Sequence, residues 1–270
     1  MLKLQSIRKT FHAGTVNEVR ALRGISFTLE PGTFLMVLGG NGSGKSTLLN
    51  AIAGTFLTDE GRISIAGRDV TRWPEHRRAR HIGRVFQNPF TGTAPSMSIY
   101  ENFAFAAKRG KFRGLRWALG RSLRTELRDR VAELKMGLED RLENAIGSLS
   151  GGQRQALTLL MATWIKPDLL LLDEHTAALD PKSADQVIQL TDAIVTREKL
   201  TTLMVTHAMG QAVQLGDRII MMHQGNILHD FAGEEKQRLT IPDLLRRFDD
   251  IRRRELLDPA AAQMLAEQYM

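Results

Sequence analysis

The 270-residue sequence has no cysteine. That excludes a disulfide framework and thiol chemistry, and it is compatible with a reducing compartment. No apolar run approaches the roughly 18 residues needed to cross a bilayer. The first eight residues alternate like a strand and lack the apolar stretch of a signal peptide. There is no internal repeat and no low-complexity run. What is present is ordinary for a soluble globular protein: 43% hydrophobic and 25% charged residues. The length accommodates one large domain or two smaller ones with a real core.

The net charge of +7 is unevenly placed. Residues 108–130 hold nine Lys/Arg against two Asp/Glu, and residues 68–84 hold six against two. The remainder is mildly acidic. Two basic stretches on such a body suggest an anionic surface nearby, lipid head groups or nucleic acid, although solvated helix faces explain each stretch alone equally well.

The stretch Gly39-Gly40-Asn41-Gly42-Ser43-Gly44-Lys45-Ser46-Thr47 fits G-x-x-x-x-G-K-[ST] in full. The apolar run 34–38 before it reads as a buried strand, and residues 47–53 after it read as a helix. Glycines let backbone N–H groups turn inward on phosphate oxygens, and the helix start adds the positive end of its dipole. Lys45 reaches β- and γ-phosphates, and the Ser46 hydroxyl suits Mg²⁺.

Other strands are expected over 1–11, 19–29, 62–67, 82–87, 169–172, 203–205 and 218–222, with helices near 182–198 and 208–215. From Ser98 to Trp164 the pattern turns helical, with Val131, Leu134 and Leu138 as one apolar stripe. Strand–helix alternation around a helical insertion predicts a mostly parallel α/β sheet with a helical subdomain. Residues 233–270, with net charge −1, read as a helical C-terminal appendage.

Four leucines deliver Asp173 and Glu174 at a strand end, where a metal partner and a water-activating base belong. Gln87 and His207 are polar termini of apolar strands and point to the same sheet edge. Ser150-Gly151-Gly152-Gln153 opens a helix and offers a second anion-binding N-terminus. Its spacing puts it in a different subdomain from the first.

Leu149 to Gln153 resembles the signature motif of the ABC ATPases, and the other pieces fall in that family's order. Residues 39–47 resemble its Walker A loop, Gln87 its Q-loop glutamine, and residues 169–174 its Walker B strand with the catalytic glutamate. Asp180, after Ala178-Leu179, resembles the D-loop aspartate, His207 the switch histidine, and Phe11 the aromatic that stacks on adenine. The resemblance covers about residues 1–230. It implies a RecA-like P-loop core with an N-terminal antiparallel β part (1–90 and 165–232) and a helical signature subdomain (91–164). ATP is the implied nucleotide, and Mg²⁺ the implied metal, held by Ser46, Gln87 and Asp173. Glu174, His207 and Gln87 are the implied catalytic group. Residues 39, 41–47, 150–153 and 180 with Phe11 are the implied nucleotide contacts.

The same resemblance implies a head-to-tail homodimer on ATP binding, transmembrane permease subunits and an extracytoplasmic solute-binding protein, with no nucleic acid. The implied place is the inner face of a bacterial plasma membrane. The groove near Gln87 to Asn102 is expected to receive a permease helix, and the 108–130 segment around Trp117 to face lipid. Residues 91–97 and 108–121 resemble amino-acid-type uptake ATPases, whereas 17–50 also resembles exporter and lipoprotein-extraction ATPases. A soluble translation or repair protein fits less well, because the chain has one cassette and no long coiled coil. One departure stands out: the family commonly has proline after the catalytic glutamate, and here His175 follows. A protonated histidine there would lower the basicity of Glu174; the favoured expectation is that its side chain points away and matters little.

Overall fold

A computed structural model describes residues 1–110 and 121–257. Residues 111–120, the middle of the basic segment with Trp117, and the tail 258–270 lie outside the described residues.

In chain order, β1 (Leu2–Phe11) and β2 (Val19–Leu29) lead into β3 (Phe34–Gly39), the loop, and α1 (Lys45–Ala53). Then come β4 (Glu60–Ile65), β5 (Arg68–Asp69), α2 (Glu75–Arg78) and β6 (Ile82–Val85). The helical part holds α3 (Ile99–Ala106), α4 (Arg121–Ala132) and α5 (Gly151–Thr163). After it follow β7 (Leu169–Asp173), α6 (Pro181–Glu198), β8 (Thr202–Val205), α7 (Met209–Leu215), β9 (Arg218–His223) and β10 (Asn226–Ala232). The described chain ends with α8 (Gly233–Arg238) and α9 (Ile241–Leu257).

Two sheets form. The antiparallel one has the order β2-β1-β4-β5; the other has the order β10-β9-β3-β8-β7-β6 and is parallel except for the β9–β10 hairpin. The inner strands are apolar throughout because both faces are covered. Leu35 and Val37 of β3, with Leu169 and Leu171 of β7, face the core shared with α1 and the antiparallel sheet. Phe34, Met36, Leu170 and Leu172 face the opposite core with α6, α7 and α9. A third cluster, built on Phe103, Leu127, Val131, Leu157 and Trp164, belongs to the helical part.

Three details differ from the sequence expectation. The stripe Val131, Leu134, Leu138 is buried together, but not as one helix: α4 ends at Ala132, and Lys135 and Gly137 take left-handed backbone angles. The strand β10 carries weak alternation, and only its pairing with β9 reveals it. The basic stretch 68–84 presents less charge than its composition suggests, since Arg78 is fully buried and the Arg84 side chain is 12% exposed. Among the described residues no helix is long and apolar enough to cross a membrane.

Candidate nucleotide site

The loop between β3 and α1 is glycine-rich because neighbouring backbone leaves no space. A Cβ on Gly39 would sit 2.4 Å from the Met222 carbonyl oxygen. At Gly44, where φ is +99°, it would sit 2.6 Å from that of Ala21. The turn between β9 and β10 pins the loop from the other side, with Gly225 N–H donating to the Ser43 carbonyl at 3.0 Å. The result is a tight backbone nest opening onto the start of α1. Ser43 Oγ is buried in it without a partner among the described residues.

Lys45, the first residue of α1, is 5% exposed. Its Nζ donates to the carbonyls of Gly39 at 2.8 Å and Gly40 at 2.9 Å. Burial pulls the ammonium below the usual lysine range, against the opposing pull of the Glu174 and then the Asp173 carboxylate. A buried cation on two neutral carbonyls, beside a helix N-terminus, is a site built to stabilise an anion. Glycine crowding and the orphan Ser43 hydroxyl fit a phosphate-bearing group there.

A cleft of about 740 Å³ opens over this loop. Its lining brings together Phe11, residues 41–47, Gln87, Glu174 and His207. Gly39 lies at the end of β3 beneath it. Phe11 stacks edge-on with Phe56 at 5.3 Å and has Lys9 Nζ 5.5 Å from its ring centroid.

Glu174 and His207 meet because β7 and β8 are parallel neighbours, with Asp173 opposite Val205. His207 Nε2 lies 2.7 Å from Glu174 Oε1, and Glu174 N–H donates to the Val205 carbonyl at 2.9 Å. Glu174 adopts φ +43°, a left-handed angle that non-glycine residues rarely take. Asp173, at the end of β7, lies 3.8 Å from an Arg84 Nη. Burial raises its carboxyl pKa; Arg84 pulls it back down. The Asp173 carboxylate and the Ser46 hydroxyl are each oxygen donors of the kind a hard cation prefers. Among the described residues there is no cluster of three acidic, histidine or cysteine side chains that would make a self-sufficient metal site.

His175 points away from the cleft, as expected. It is fully buried and its Nε2 lies 3.0 Å from Thr191 Oγ1 on α6. Burial pushes its imidazole down to about 4, so it is neutral near pH 7.

Residues 150–153 lie outside the cleft lining. Ser150 caps α5 in a reciprocal box: Gln153 N–H donates to Ser150 Oγ, and Ser150 N–H to Gln153 Oε1, each at 3.3 Å. Ser150 and Gly151 are exposed, while Gly152 is buried, and a Cβ on it would lie 2.7 Å from Ser183 Cβ. Asp180 is also outside the cleft. It caps α6 by accepting from Ser183 N–H at 3.1 Å. One chain therefore assembles a phosphate nest with its carboxylate and histidine, and leaves a second helix N-terminus exposed elsewhere.

Sequence reasoning missed Glu18, Arg20, Arg23 and Gln224, which also line the cleft. Val19, Arg20, Ala21 and Arg23 of β2 all line it, where the pairing with β1 slips between Leu22 and Arg20 and breaks the alternation. What was needed was the close approach of Ala21 to Gly44.

The fold and this loop define a P-loop nucleotide-binding protein. The family described as "ABC transporter" matches residues 22–177. A tyrosine transport ATP-binding protein of Clostridioides difficile (strain R20291) is 40% identical over 92% of this chain and 99% of its own length. A lipoprotein-releasing system ATP-binding protein of Caulobacter vibrioides is 38% identical, covering 82% and 92% respectively. Among solved structures, the dimeric structure of MJ0796, a bacterial ABC transporter cassette, superposes with TM-score 0.73 at 27% identity, over 86% of this chain and 98% of that one. The chain belongs to the ABC transporter ATP-binding family, whose members hydrolyse ATP to power transport. It is the ATPase subunit of an ABC transporter.

Proposed function

We propose that this subunit drives uptake of a small solute such as an amino acid, working with a membrane permease and an extracytoplasmic solute-binding protein. The carrying observation is the near full-length 40% identity to a tyrosine transport ATP-binding protein. The rival is a lipoprotein-releasing system, favoured by the 38% identical relative. Affinity purification of the tagged chain from its native membranes decides between them. Recovery of a permease with a solute-binding protein supports uptake; recovery of a periplasmic adaptor instead contradicts it.

In this reading residues 1–90 with 165–232 form the nucleotide core, 91–164 the helical signature subdomain and 233–270 an appendage. Backbone N–H groups of residues 41–47 bind the triphosphate, and Lys45 exchanges its two carbonyl partners for phosphate oxygens. Phe11 stacks on the base. Ser46, Gln87 and Asp173 would hold Mg²⁺, which supplies neutralising charge on the phosphates. Glu174 takes the proton of the attacking water, and His207 keeps that carboxylate in place.

Ser150, Gly151, Gly152, Gln153 and Asp180 serve the nucleotide of a second copy. The exposure of Ser150, Gly151 and Asp180 outside the chain's own cleft and the dimeric structure of MJ0796 support this. A head-to-tail pair on a two-fold axis then completes two equal sites. The groove from Gln87 to Asn102 takes a permease helix, which places the subunit on the cytoplasmic face of the membrane.

A further inference from the structure

Glu174 holds a strained backbone angle, and such angles persist only where the surroundings over-determine them. Part of the restraint is backbone: Glu174 N–H on Val205, and Ala177 N–H on the Glu174 carbonyl at 2.9 Å. The next residue supplies a side-chain restraint that the reaction itself does not use. His175 Nε2 and Thr191 Oγ1 are 3.0 Å apart, both residues are fully buried, and Thr191 belongs to a different element, α6.

The direction of this bond follows from proton counting. Thr191 has one hydroxyl proton, and it goes to the Val187 carbonyl at 2.7 Å. Thr191 Oγ1 can therefore only accept, so Nε2 of His175 carries the hydrogen. Nδ1 is then a bare lone pair, and it has no partner among the described residues. A buried acceptor without a donor is costly. A ring of carbon alone would fill the same volume without that cost, so what distinguishes histidine here is the Nε2–H donor.

We infer that His175 is a positioning residue: its Nε2–H bond to Thr191 ties the turn after β7 to α6 and so holds Glu174 at the cleft against His207. This rests on the reading of Glu174 as the water-activating group. The tie connects the catalytic turn to α6, whose own N-terminus carries Asp180 and abuts Gly152.

Three variants test it in the full-length protein: His175→Phe keeps the ring and loses the donor, His175→Gln keeps a donor at the place of Nε2, and Thr191→Val removes the acceptor. The expected result is a fall in kcat of roughly tenfold for His175→Phe and Thr191→Val, from loss of one buried hydrogen bond, with KM for ATP unchanged. His175→Gln should recover most of the rate. The double variant His175→Phe/Thr191→Val should be no slower than either single one. Unchanged kcat in Thr191→Val overturns the inference, and so does His175→Gln as slow as His175→Phe. Thr191→Val leaves the histidine ring in place, so it remains informative if His175→Phe does not fold. Imidazole ¹⁵N NMR of the nucleotide-free protein tests the bond apart from turnover. A protonated Nε2 with bare Nδ1 supports it, and the opposite tautomer overturns it. Normal hydrolysis by Glu174→Gln would instead remove the reading of Glu174 and leave the NMR result standing.

Discussion

Lys45 shows best how much chemistry one residue concentrates. Its ammonium is buried, rests on two carbonyls and faces two carboxylates, so the loop is poised for an incoming anion. Lys45→Ala should weaken ATP binding by about a hundredfold, because charge-assisted bonds to phosphate are among the strongest a side chain makes. Isothermal titration measures it, and retained wild-type affinity would remove Lys45 from the phosphate site. The motif residues were legible in the sequence because a glycine loop between strand and helix has few other meanings. The contact between Glu174 and His207 was legible only as two polar strand ends. That they touch depends on β7 and β8 being neighbours, which no local pattern states.

At the scale of elements, the apolar runs were read correctly as buried strands, because a strand covered on both faces has no polar side to show. Arg78 was not legible: it sits in a basic stretch and resembles a solvated cation. Instead it is fully buried and donates to the carbonyls of Ala51 and Ile52 at the end of α1, and to those of Thr71 and Trp73. It thereby satisfies groups that every helix C-terminus leaves open. Burial drives its guanidinium pKa down to about 10, with Asp69 opposing. Gly54 is the matching adaptation, since a Cβ there would lie 2.8 Å from Arg78 Nε. Arg78→Met should cost about 2–4 kcal/mol, as several buried carbonyls lose their donor. Urea denaturation of the two proteins reads this directly, and a loss under about 0.5 kcal/mol, the size of a typical surface substitution, would mean that the buried bonds contribute little net stability.

For the whole molecule, what matters is that one chain gathers only part of the predicted site in one cleft. The cleft unites the loop, Phe11, Gln87, Glu174 and His207, while Ser150 and Asp180 cap helices elsewhere. The sequence hinted at this, because the two anion-binding stretches sit in different subdomains. Ser150→Arg should leave ATP affinity of the single chain within about twofold, since that residue is outside its own cleft, yet block pairing of two chains. Fluorescent-nucleotide titration and light scattering check the two halves of that statement. ATP-driven pairing in the variant would contradict the second half.

We propose that two copies close on ATP and that Glu174 reopens them by activating water. Light scattering of purified Glu174→Gln with and without Mg²⁺-ATP tests it most directly, with phosphate release followed in the same sample. The expected result is a monomer without nucleotide, a long-lived dimer with ATP, and turnover lower by about a hundredfold or more. A protein that stays monomeric with ATP bound, or that hydrolyses at the wild-type rate, would contradict it.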